Sequence, residues 1–198
     1  WGLWFDLLRE QGQLTEALAS LRNGVAVNPG VRELRQFLIY QLLDVNRVSE
    51  AQEVAMEGTR QKPDRAYWLR TASELYARSN LWQQVLPLRQ QLYDIEKSTE
   101  NAIIYLDAVL RQQNPTPGVV QQLVAALPPD NEMDLRTVMV ASRGRAFFKQ
   151  TDRSRSLARL GWNQVVADER TMWTSMAFWL GQAALAEGSV TGALQFAQ

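Results

Sequence analysis

Leu8, Gly12, Ala17, Gly24 and Pro29 are each followed, 34 positions later, by Leu42, Asn46, Ala51, Gly58 and Pro63. A further shift of 34 reaches Tyr76, Asn80, Val85 and Leu92, and another reaches Leu110, Asn114, Val119 and Ala126. Between these marks the apolar residues fall at helical rather than alternating spacing. Such a period describes helical hairpins that bury their apolar faces only by stacking on one another. Helices are expected near 1–11, 14–28, 31–45, 48–61, 65–79, 82–97, 100–113, 117–127, 132–150, 153–167, 170–187 and 190–198.

Each recurring residue has a physical task. Gly12, Asn46, Asn80 and Asn114 stand at the turn inside a hairpin, where a left-handed backbone is often needed. Ala17 and Ala51 let the second helix lie close on the first. Pro29 and Pro63 end hairpins near Asn28 and Lys62, and Thr116-Pro117-Gly118 reads as a helix start. The fifth unit departs from the period. Its counterpart of Leu110 is read as Phe147, 37 positions on, with Thr151 and Ser156 at the turn and alanine positions, so longer or tilted helices are expected there.

This combination resembles the tetratricopeptide repeat family, which joins the same period to Leu or aromatic, Gly, Tyr, Ala, aromatic, Ala and Pro at set places. Leu180-Gly181 with Gly188 and Ala193 is the best match. The resemblance implies an all-α, right-handed superhelical solenoid. It implies one array over 1–198, with units near 1–30, 31–64, 65–98, 99–131, 132–169 and 170–198, that holds partners rather than catalysing a reaction. The start at Trp1 without methionine and the stop inside a helical run read as a piece of a longer protein.

Composition narrows the chemistry. With 46% hydrophobic and 21% charged residues the chain can bury a core. Its formal charge is zero, so no overall field draws it to nucleic acid or anionic membrane, and nucleic acid is not an expected partner. The absence of cysteine and histidine removes thiolate and imidazole metal ligands, Ser-His-Asp triads and the usual neutral-pH base. No catalytic residue, metal site or cofactor is expected, and no apolar stretch approaches the ~20 residues of a membrane span.

Two surfaces are candidates for partner binding. Arg136, Arg143, Arg145, Lys149, Arg153, Arg155 and Arg159 face only Asp152 within their stretch, a local excess of positive charge suited to an acidic protein surface or acidic polymer. Arg145, Lys149 and Arg153 are expected to share one face. The alternative is a solvated helix pair balanced by acids on neighbouring units. The family resemblance also implies a concave groove lined by first helices, here Tyr40, Asp44, Tyr67, Arg70, Glu74, Arg78 and Arg111, with Asn101 and Ile104 at matching places. The lysine and asparagine set with which some members clamp a C-terminal carboxylate is absent, Gly2 and Asp6 standing there instead. The seven tryptophans could stack on sugars but are read as core residues, Trp4 at a motif packing position. At most one of the adjacent Tyr67 and Trp68 is a full core residue.

The long, divergent, cysteine-free units are also similar to the periplasmic tetratricopeptide scaffolds of bacterial exopolysaccharide (Pel-type) export across the outer membrane. That likeness implies a periplasmic location and, as partner, an export or polysaccharide-modifying component of a biofilm exopolysaccharide system. A cytoplasmic adaptor of the same fold is the alternative, and an all-helical (α/α) carbohydrate-active enzyme comes third.

Overall fold

The structure, a computed structural model, describes residues 2–164. Among these residues ten α-helices make up five hairpins: α1 (Gly2–Glu10) with α2 (Leu14–Val27), α3 (Arg32–Asp44) with α4 (Val48–Gly58), α5 (Arg65–Arg78) with α6 (Trp82–Ile95), α7 (Thr99–Leu110) with α8 (Pro117–Ala125), and α9 (Leu135–Phe147) with α10 (Thr151–Gln164). The described residues contain no strand. Leu180, Gly181, Gly188, Ala193, the unit at 170–198 and the tryptophans at 1, 173 and 179 lie outside the described residues, as do the side chains of Arg159 and Trp162.

The chain divides into two compact units, Trp1–Glu96 and Lys97–Gln198. In the first, each hairpin closes on itself and α2 packs on α3 as α4 packs on α5. In the second, α9 packs against α7, α8 and α10.

Backbone hydrogen bonds give the repeat its register. At the ends of α1, α3 and α5 an amide reaches back five residues: Gln13 to Leu8 (2.9 Å), Arg47 to Leu42 (2.7 Å) and Leu81 to Tyr76 (3.0 Å). The residue before each such amide is left-handed, with φ of 77° at Gly12, 59° at Asn46 and 58° at Asn80. This is the Schellman closure, which satisfies carbonyls left open at a helix end. The expected left-handed turn is thus present in the first three hairpins. The fourth turns differently: α7 stops at Leu110 and residues 111–116 lead to Pro117, the first residue of α8. Asn114 is not left-handed, and Thr116 precedes the helix without a side-chain capping bond.

The fifth hairpin closes as the first three do, through Gln150 to Arg145 (3.1 Å) and Lys149 at φ 57°. Arg145, not Phe147, therefore takes the place of Leu8, Leu42 and Tyr76, one residue beyond two periods of 34 from Tyr76. Lys149 rather than Thr151 forms the turn, and Ser154 rather than Ser156 stands where Ala17 and Ala51 do. The extra length lies in the connection, not in the helix: α9 has 13 residues, not the expected 132–150. It starts at Leu135 because the carboxylate of Asp134 accepts the amide of Thr137 at 2.8 Å. The Thr137 side chain and that amide hold the Asp134 carboxyl below the usual carboxylate range against a smaller opposing effect of burial, and Arg136 helps. A lysine in the left-handed region costs about 1–2 kcal/mol where glycine or asparagine would sit comfortably.

Packing follows the same register. Ala17 and Ala51 have no exposed surface, and neither has Ser142 in α9. Ser142 and Ser154 instead join α9 to α10 by hydrogen bonds, at 2.8 Å to the Ser154 carbonyl and 3.0 Å back to the Ser142 carbonyl. Trp68 is 1% exposed while its neighbour Tyr67 is half-buried. A Cβ on Gly58 would stand 2.5 Å from the Trp68 ring, so glycine at the end of α4 lets α5 approach. The guanidinium of the buried Arg35 lies 5.7 Å from the same ring and donates to the Val54 carbonyl at 3.0 Å.

Trp4 departs from its expected place in the core. It is 54% exposed, beside Leu3 and Leu7 at 90% and 44%. Its equivalents Leu38, Ala72, Leu106 and Ala141 are buried. In the first unit α3 and α5 are covered by the second helix of the hairpin before them, and among the described residues no helix precedes α1.

Candidate functional site

In the first unit α3 and α5 present the aromatic and charged residues foreseen for a groove. Tyr40 is 57% exposed, and its hydroxyl accepts a hydrogen bond from Gln36 at 3.0 Å. Asp44, Glu74 and Arg78 are exposed. The guanidinium of Arg32 lies 5.2 Å from the centre of the Tyr67 ring, which meets Trp68 edge-on at 4.8 Å. Such stacking holds an aromatic side chain in one orientation on a rigid helix. Arg70 is half-buried and lies 3.9 Å from Glu96.

In the second unit the groove positions behave differently. Asn101 and Ile104 are buried, because α7 buries residues on every side, as an apolar core helix does. Arg111 is exposed and pairs with Asp107 at 3.1 Å.

The basic run differs from residue to residue in pairing and exposure. Arg143 also reaches Asp107, at 3.0 Å, so one carboxylate holds two guanidinium groups. Arg145 is 6% exposed and pairs with Asp130 at 2.9 Å. Arg153 approaches the same carboxylate at 3.6 Å. Arg136, Lys149, Arg153 and Arg155 are exposed. The expected single face of Arg145, Lys149 and Arg153 is not formed: α9 ends at Phe147, Lys149 is in the turn, and Arg153 is on α10. By the closing register, Arg136 and Arg143 fall where Tyr67 or Glu33 and Tyr40 or Glu74 stand in earlier hairpins.

Asp107, Asp130 and the wall Pro128-Pro129 were not foreseen as site residues. Beside Asp130, Arg145 and Arg153 this wall bounds a cleft of about 490 Å³ that Phe148 and Gln150 also line. Among the described residues no group of carboxylates could hold a metal ion, and no helix is long and apolar enough to cross a membrane.

Residues 8–75 match the family model described as Tetratricopeptide repeat. Three solved structures share the fold. YrrB, described as a TPR protein with an unusual peptide-binding site, is 12% identical with a TM-score of 0.60, over 89% of this chain and 88% of its own. A tetratricopeptide repeat protein from Parabacteroides merdae is 11% identical with a TM-score of 0.54, over 97% of this chain and 73% of its own. PilF from Pseudomonas aeruginosa is 8% identical with a TM-score of 0.59, over 98% and 86%. The match over 8–75 and these shared folds show an architecture of tetratricopeptide-type helical hairpins.

Proposed function

We propose that this chain is a protein-binding scaffold within a larger assembly, that it works in the periplasm, and that the assembly exports a bacterial exopolysaccharide across the outer membrane. The scaffold reading is carried by α3 and α5, which expose Tyr40 and Asp44, and Glu74 and Arg78, on helices held by a buried core. Exposed aromatic and charged side chains on rigid helices suit a protein partner. YrrB, of the same fold, is described as having a peptide-binding site. The periplasmic export reading is supported by the likeness of these long, cysteine-free units to the Pel-type scaffolds. Its partner is an export or polysaccharide-modifying component, and the exposed arginines of the fifth hairpin suit an acidic surface on it.

The test uses the full natural protein in its source bacterium. An alkaline-phosphatase fusion is expected to be active, as it is only in the periplasm, and deletion of the gene is expected to remove most surface exopolysaccharide. An inactive fusion with unchanged polysaccharide would contradict export and leave a cytoplasmic adaptor.

A further inference from the structure

Three departures from the repeat meet at one corner of the fifth hairpin. Arg145 fills the packing position of Leu8, Leu42 and Tyr76, Lys149 takes the left-handed position of Gly12, Asn46 and Asn80, and Ser154, hydrogen-bonded to Ser142, stands where Ala17, Ala51 and Val85 do. Departures from a repeat that cluster in space, one of them a lysine in the left-handed region, point to a role other than folding. The cleft of about 490 Å³ opens at this corner and falls within the ~300–1,000 Å³ range of ligand clefts.

Its charges are unbalanced. Two guanidinium groups, Arg145 and Arg153, share the one carboxylate of Asp130. The Arg145 side chain is 7% exposed and its Nε has no acceptor. Arg153 is 63% exposed and open to a second acid. Pro128, Pro129 and Phe148 add an apolar wall. A free anion would use the guanidinium groups and leave that wall uncovered.

We propose that this cleft binds an acidic residue flanked by apolar ones on a partner protein. Arg153 and Arg145 take the carboxylate, and the prolines and Phe148 take the apolar neighbours. Asp130, on the connection between α8 and α9, acts as a built-in carboxylate that holds Arg145 until the partner's acid arrives. This rests on the scaffold reading and names the chemistry of one of its sites.

The experiment titrates the full chain at low salt with Ac-Gly-Phe-Glu-Phe-Gly-amide, the same peptide carrying Gln for Glu, and trigalacturonate, by calorimetry and amide chemical shifts. The Glu peptide is expected to bind about tenfold or more tightly than the Gln peptide, since a charge-assisted hydrogen bond is at stake. Its shifts should centre on Phe148 and Arg153. Binding is expected to weaken about tenfold in Arg153→Glu and to strengthen in Asp130→Asn, which removes the internal competitor. Arg145→Leu, which restores the repeat's own residue, should lose the preference for Glu. Equal affinity for the Glu and Gln peptides, tighter binding of trigalacturonate, or a Glu preference unchanged in both arginine variants would overturn the proposal. A chain that fails here yet still captures its natural partner in cells loses this site only; one with no partner loses the scaffold reading.

Discussion

Replacing Ala51 by arginine is expected to abolish the cooperative unfolding of residues 1–96. Ala51 has no exposed surface and lies on α4, which packs against α3 and α5. Its neighbours Gln52, Val54 and Ala55 are buried too. An arginine there adds volume to a closed contact, at about 1–3 kcal/mol. It also places an unpaired cation in the core, at about 3–5 kcal/mol. Together these approach the whole stability of a small domain, about 5–15 kcal/mol. Circular dichroism during heating would show a lost or much lowered transition. An unchanged melting curve would contradict the assignment of Ala51 to the helix contact.

Arg145 is expected to respond to substitution in opposite ways. Arg145→Glu puts a buried carboxylate against that of Asp130 and should cost about 3–5 kcal/mol, as for an uncompensated buried charge. Arg145→Leu should be close to neutral, because Leu8 and Leu42 show that the position accepts leucine and Asp130 is 38% exposed and can turn to water. Urea unfolding of the two variants separates these outcomes. Equal loss of stability in both would mean that Arg145 does not occupy the leucine position of the repeat.

The scaffold was legible because helix ends and close contacts are local. Gly12, Asn46 and Asn80 announced their turns by residue type, and Ala17 and Ala51 their contacts by size. The fifth hairpin was misread at Phe147 because an aromatic residue is the expected mark of the position, and arginine is not. The closing bond from Gln150 to Arg145, a backbone feature, shows the true register. A spacing of one residue beyond two periods, from Tyr76, was the signal available in the sequence.

The candidate surfaces were less legible, since pairing is decided by residues far apart. Asp107 and Arg143, or Asp130 and Arg145, meet only through helix packing and a folded connection. The basic run therefore overstated the open charge. Trp4, a packing residue by motif, is exposed because burial at its position comes from a neighbouring hairpin.

The central claim is that this chain acts by holding a protein partner through named faces. In-cell photocrosslinking tests it most directly, with a benzophenone amino acid placed singly at Tyr40, Arg136 or Arg153 of the full-length protein, and at exposed Glu16 on α2 as control. At least one of the first three is expected to give a discrete adduct with a partner protein, and Glu16 none. No adduct above the control at any of the three would contradict it.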